Sequence, residues 1–272
     1  MIWFDALVNR YDVIVDDVAA HACFVDGVLL HIGFSYKYKH NDIEDCDKQL
    51  KRAVKMADKN GGGILLITEG VFGMSGNQGK IKEIVALKKK YNFRLLIDDA
   101  HGFGSMGPTG AGADEEQGCQ DGVDLYFSTF VKSMGSIGAF ISGPKKIMTY
   151  LRYNVRSQIF AKSLPLIVVE GMIKRMEMLQ NMPELREKLW HNVNKLQNGL
   201  IEKGFDIGST NSPVTPVYMK GDLPEATNMV MDMRENYNIF CSVVVFPVIP
   251  KGQIIYRLIP TAAHSDEDTE IT

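Results

Sequence analysis

Cysteine is scarce and scattered in this 272-residue chain: Cys23, Cys46, Cys119 and Cys241, with no C-x-x-C pair. That spacing excludes a local zinc or iron–sulfur set and, at this size, a disulfide framework. A reducing, cytoplasmic setting is the expectation. No run of eighteen apolar residues occurs, so nothing reads as a transmembrane helix; peripheral contact with a membrane stays open. Excess charge of one sign is missing too. Thirty Lys and Arg stand against 33 Asp and Glu, a net charge of −3, which gives no electrostatic reason to expect nucleic acid as a partner. The opening MIWFDALVNRYD has no basic region, apolar core or cleavage site, so these residues are not expected to form a signal peptide. Internal repeats and low-complexity tracts are absent as well. What remains is 45% apolar and 23% charged, enough for one large or two modest domains with genuine cores.

The first half alternates short apolar runs with helical patterns. DVIVD (12–16), ILLIT (64–68), RLLID (94–98), DLYFS (124–128) and GAFIS (138–142) read as buried strands. Residues 45–60 and 79–91 carry apolar positions at helical spacing with charges opposite. Such alternation predicts an α/β fold: a mostly parallel central sheet flanked by helices. Ligands then sit beyond the carboxyl ends of the strands. After Lys145 the texture becomes long helices, over 145–155, 164–180 and 184–203, with Pro183 at the start of the last. Strands at 215–219, 241–246 and 254–259 with a helix around 224–236 predict a smaller α+β unit. The expected division is 1–155 for the large domain and 156–272 for the small one, with the junction over 155–164. The closing SDEDTEIT reads as the start of another helix.

Two segments carry chemistry. In RLLIDDAHGFGSMG a strand ends at Asp98, followed by Asp99, His101 and a glycine-rich turn. Acidic residues at a strand's carboxyl end are costly to bury unless something cationic meets them; alternatively they cap a turn beside a surface histidine. A metal site finds no support, because His31, His40, His191 and His264 form no local ligand set. Gly102–Gly107 fits G-x-G-x-x-G, but the dinucleotide fingerprint opens a helix directly, and here Pro108 and another turn follow. In DLYFSTFVKSMGSIGAF, a strand leads through Thr129 to Lys132 in a small-residue turn. That lysine is either simply solvated or partly desolvated, so that its amine is neutral and nucleophilic.

The order of these blocks resembles the α-oxoamine synthases, pyridoxal-phosphate enzymes of fold type I. TEGVFGMSG (68–76), DDAHGFG (98–104) and STFVKS (128–133) are similar to that family's TEGVFSMDGD, VDDAHG and TF-S/G-K blocks. Upstream, DVIVDDVAAHACFVDG resembles its D-x-x-x-HAS block, and YRLIPTAAH (256–264) resembles its R-L-x-x-TAAH block. The resemblance spans essentially the whole chain. It implies Lys132 as the Schiff-base lysine and Asp98 as the partner of the pyridine nitrogen. It implies His101 on the cofactor's phenolic oxygen, His21 stacked on the ring and touching the incoming amino acid, and Thr129 near the phosphate. Arg257 is implied to meet the substrate carboxylate, with Glu69 close to the site. Segments such as RYNVRSQIFAKSLP and NIFCSVVVFPVIPKG resemble the serine palmitoyltransferase branch. That branch implies condensation of L-serine with a long-chain acyl-CoA, giving 3-oxosphinganine, CoA and CO2, by a homodimer.

Departures accompany the resemblance. Gly73 stands where the family has serine, Ser75 stands where it has aspartate, and FPVIPKG (246–252) lacks an arginine found in some of the branch. The family's N-terminal arm and glycine-rich phosphate-binding segment, and its closing helix, are expected beyond the two ends. The chain therefore reads as truncated at both ends, and these residues alone are expected to hold cofactor weakly. Two rivals stand beside the main reading: a related enzyme using glycine or alanine, and an inactive remnant.

Overall fold

Runs of Val, Ile and Leu make the strands of the first unit, because branched side chains pack well on a pleated surface covered on both faces. The computed structural model describes residues 4–272. Six strands form the larger sheet: β1 (Val13–Asp17), β2 (Phe34–Tyr38), β3 (Ile64–Glu69), β4 (Arg94–Asp98), β5 (Leu125–Thr129) and β6 (Ala139–Ser142). Their order is β2-β1-β3-β4-β5-β6; the first five are parallel and β6 is antiparallel to β5. The chain steps outward from β1 to β2 and then returns to the other side of β1 for β3, which creates a topological switch between β1 and β3. Open α/β sheets bind ligands beyond the carboxyl ends of strands at such a point.

The helices of this part are α1 (Phe4–Leu7), α2 (Ala22–Leu30), α3 (Ile43–Asn60), α4 (Ile81–Leu87), α5 (Ala113–Glu116), α6 (Lys145–Asn154), α7 (Arg156–Phe160) and α8 (Leu166–Asn181). Local sequence sets the bounds of α3. Asp42 caps its start by accepting the Asp45 N–H at 2.9 Å, Glu44 and Asp45 sit in the first turn, and Gly61 closes it at φ 71°. Its buried stripe is Cys46, Leu50, Ala53 and Ala57. On one face of the sheet, Ile14, Leu65, Ile67, Leu96, Leu125 and Phe127 pack with Phe24 and Val28 of α2. Phe24 meets Phe127 edge to face, with ring centroids 5.9 Å apart. Phe24→Ala empties this contact and is expected to cost ~3–5 kcal/mol, read as a lower urea midpoint with an unchanged slope. A loss below about 1 kcal/mol would show that α2 does not hold this face.

The second unit has its own core. Helices α9 (Pro183–Glu202), α10 (Leu223–Tyr237) and α11 (Asp266–Ile271) accompany the antiparallel strands β7 (Thr215–Lys220), β8 (Ser242–Val244) and β9 (Gln253–Leu258), ordered β7-β9-β8. Leu196, Leu200, Ile207, Val217, Ala226, Ile254 and Tyr256 pack together there. Asp222 and Glu225 form a capping box at the start of α10, as Ser265 and Asp268 do for α11.

The expected strands and helices are all found, with bounds shifted by up to four residues. The short helices α1, α5 and α7 were not anticipated, and neither were β2 and α2. Strand β2 lies at the sheet edge with only Tyr38 of its five residues buried, and α2 mixes Cys, Phe, Val and Gly, residues of low helix propensity. The division of the chain also differs from the expected one. Among the described residues, 4–72 and 79–178 form one compact unit, and Gly73–Gln78 with residues 179–272 form the other. Residues 156–178 group with the first unit, where Leu151, Val155 and Met172 are buried. Residues 1–3 lie outside the described residues. Among the described residues no helix is long and apolar enough to cross a membrane.

Candidate active site

Three neighbouring strands of the first unit end in side chains of one character. Parallel pairing sets Glu69 of β3 beside Asp98 of β4, and Asp98 beside Phe127 of β5. Period-two alternation puts Glu69, Asp98 and Thr129 on the same face as Ile67, Leu96 and Phe127. The carboxyl ends of β3, β4 and β5 therefore offer two carboxylates and a hydroxyl in one row.

Asp98 is only 5% exposed and is not salt-bridged among the described residues; Oδ1 accepts the Ala100 N–H at 3.0 Å. Burial pushes its carboxyl up to about 7, against the Ala100 N–H and the charge of Lys132, which pull it down. A buried carboxylate met by one N–H and a neighbouring ammonium is incompletely paired. Glu69, 6% exposed, lies in the same row.

Lys132 stands in the loop between β5 and β6. Its carbonyl accepts the Gly135 N–H at 3.1 Å, while Phe130 N–H bonds Gly138 at 3.0 Å and Ser136 N–H bonds Phe130 at 2.8 Å. The turn is thus pinned at its base, and the lysine side chain is exposed at its tip. Its charge acts on Asp98 and on His21.

His21 is the N-cap of α2, with Nδ1 accepting the Cys23 N–H at 3.2 Å. That bond requires Nδ1 without a proton, so the ring is neutral with hydrogen on Nε2. Burial and then the Lys132 charge lower its pKa, in keeping with that form. Cys23 follows closely. Its thiol is pushed up to about 12, chiefly by burial and next by Asp98 and Glu69. A thiol so placed is protonated and unreactive at neutral pH.

The structure brings His21, Glu69, Asp98 and Lys132 near one another, with Cys23 beside them. The signal for Cys23 was its spacing, two residues from His21 at a helix start. Thr129 ends β5, with Oγ1 3.4 Å from the Val131 nitrogen. His101 lies in the turn three residues beyond Asp98, its carbonyl accepting the Ser105 hydroxyl at 3.0 Å. Residues 102–107 form turns with Gly104 and Gly107 at φ 83° and 81° and open no helix directly, so no dinucleotide fingerprint is built.

Arg257 belongs to the second unit, on β9. Its Nη1 donates to the Gly73 carbonyl at 2.8 Å, and its buried Nε has no hydrogen-bond partner. No carboxylate pairs with it among the described residues, and burial lowers its pKa. Gly73 thus serves Arg257 through its carbonyl, while the Ser75 hydroxyl donates to Asn77 at 2.5 Å.

The residues present fit pyridoxal phosphate. The buried, incompletely paired Asp98 suits a protonated ring nitrogen, with a lysine's charge felt at the same point.

Comparison with known proteins agrees with this chemistry. A family model described as aminotransferase class I and II matches residues 4–272. The cysteate-C-fatty acyltransferase of Capnocytophaga ochracea is 63% identical over 268 residues, 98% of this chain and 64% of that protein. The serine palmitoyltransferase of Sphingomonas wittichii superposes with a TM-score of 0.91 at 31% identity, covering 98% of this chain and 66% of that one. A serine palmitoyltransferase from S. paucimobilis, solved with a bound PLP–myriocin aldimine, gives 0.90 at 29% identity with the same coverage. The chain spans about two thirds of the length of these relatives.

Proposed function

The chain belongs to the aminotransferase class I and II family, whose cofactor in this branch is pyridoxal phosphate, and on that ground we propose a decarboxylative condensation of an α-amino acid with a fatty acyl thioester. A carbon–carbon bond forms between the α-carbon and the acyl carbon; the thiol and CO2 leave. The cofactor supplies a sink for the electron pair freed at the α-carbon.

The chain's residues do the rest. Asp98 keeps the ring nitrogen protonated through its negative charge. Lys132 would hold the cofactor covalently, and its Nζ is the base assigned to the α-proton of the amino acid. Neutral His21 offers Nε2–H without adding a second positive charge beside Lys132. Thr129 offers a hydroxyl to the phosphate and His101 a donor to the phenolic oxygen. Arg257, with unpaired donors on a planar fork, is assigned to the amino acid's carboxylate.

The amino acid we propose is cysteate, carried by the 63% identity to a cysteate-C-fatty acyltransferase over nearly the whole chain. L-Serine, the reading the sequence first implied, is the second, favoured by the superposition on serine palmitoyltransferases.

The test supplies the whole, cofactor-loaded protein with palmitoyl-CoA and one amino acid at a time, following CoA release and product mass. Cysteate is expected to exceed serine in kcat/KM by ~10⁴-fold or more, the scale at which a site built to hydrogen-bond a polar group rejects an analogue lacking it. The reverse order favours the serine reading. Preference for glycine or alanine would overturn both.

A further inference from the structure

Behind Asp98 lies a second carboxylate that the proposed chemistry does not use. Asp99 is fully buried, and alternation turns its side chain away from the face that carries Asp98. Its Oδ2 accepts the Tyr126 hydroxyl and the Ala113 N–H, each at 2.8 Å. Oδ1 has no hydrogen-bond partner, and no salt bridge reaches this residue among the described ones. Such a group is costly to bury.

The surrounding chain nevertheless makes room for it with glycines. A Cβ on Gly70 would fall 1.9 Å from Asp99 Oδ1, one on Gly102 2.1 Å from the same atom, and one on Gly112 2.1 Å from Oδ2. Gly70 and Gly102 have no left-handed φ. Space beside the carboxylate, not backbone freedom, is what requires glycine at those two positions.

The main chain of Asp99 is held as firmly as its side chain. Its N–H donates to Phe127 at 2.8 Å, and its carbonyl accepts from Phe103 N–H at 2.9 Å, Gly102 N–H at 3.2 Å and the Ser128 hydroxyl at 3.1 Å. The preceding carbonyl, that of Asp98, accepts the Gly70 N–H at 2.7 Å. These bonds tie one residue to β5, to the turn at 102–103 and to the start of α5. Asp98 is bonded directly to it and cannot move independently.

We propose that Asp99, gripped by Tyr126, is a positioning residue that fixes the Asp98 carboxylate for the cofactor's ring nitrogen. Neither Asp99 nor Tyr126 touches the cofactor in this role. The proposal rests on the pyridoxal phosphate reading above. It also explains why a tyrosine follows Leu125 in β5: the hydroxyl of Tyr126 reaches the carboxylate just beyond the end of β4, while its ring stacks on Phe140 at 6.1 Å.

The test compares Tyr126→Phe, Asp99→Ala and Asp99→Asn in the whole protein. Each is scored by cofactor titration, the visible band and its pH titration, borohydride adduct mapping and thermal unfolding. Tyr126→Phe keeps the ring and loses one hydrogen bond to a carboxylate. It is expected to weaken cofactor binding ~10-fold and to shift the pH titration of the visible band, with the adduct still on Lys132. Asp99→Asn keeps an acceptor for Tyr126 and Ala113, and is expected to recover most of what Asp99→Ala loses. A lowered melting temperature with an unmoved band, pH titration and affinity would mean that the pair only stabilises the fold, and would overturn the proposal. A wild-type protein that yields no adduct at all would overturn the cofactor reading together with it.

Discussion

Lys132→Ala is expected to abolish turnover while leaving the fold intact. The side chain stands exposed at the tip of a turn whose base is closed by backbone hydrogen bonds, so its removal opens no cavity. Surface changes of this kind stay within about 0.5 kcal/mol, a change of a few degrees at most in melting temperature. Function is another matter. The variant loses the amine that holds the cofactor covalently and the base for the α-proton. General-base loss alone removes ~10²–10⁴-fold in rate. Borohydride should bleach the visible band of the wild-type protein and leave a mass adduct on the peptide containing Lys132, with none in the variant. An adduct on Lys145 or Lys146 would move the assignment, as would a variant that turns over within tenfold of wild type.

Much of this was legible in the sequence because chemistry and fold coincide at the strand ends. RLLID and DLYFS are continuous apolar runs that stop at polar residues, so the strands and the row of functional groups were read from the same letters. The arrangement behind Asp98 was less visible. Tyr126 and Asp99 are 27 residues apart, and only the parallel pairing of β4 with β5 lets a hydroxyl reach the carboxylate. Period two places Tyr126 opposite Phe127, but pairing partners do not follow from period alone. Strand β2 escaped notice because FSYKY buries a single side chain at an edge, although its alternation was present. His21 stood out as a motif residue; that its Nδ1 also caps α2, which fixes its tautomer, needed the helix start to be seen.

Asp98→Asn should separate stability from function, moving them in opposite directions. Its carboxyl lies at about 7 in the folded protein against an ordinary 3.8. Between those values the folded state holds a proton that the unfolded state has released. Stability without cofactor therefore falls as pH rises through that window, by about 1.4 kcal/mol for each pH unit crossed. Asparagine keeps an acceptor for the Ala100 N–H and cannot ionise, so the cofactor-free variant should melt higher than wild type at pH 8 and equal it near pH 3. In the loaded protein the order reverses. The ring nitrogen loses the charge that keeps it protonated, cofactor binding weakens, and kcat falls ~10²–10³-fold, the scale of a major preorganised electrostatic interaction. Asp99→Asn is the control, since it changes a neighbouring buried carboxyl also lifted to about 7 by burial. It should share the gain in stability at pH 8 without the collapse in kcat. If Asp99→Asn proves the damaging change and Asp98→Asn stays within threefold of wild type, the ring nitrogen's partner is Asp99, and the face assigned to the cofactor is the wrong side of the sheet.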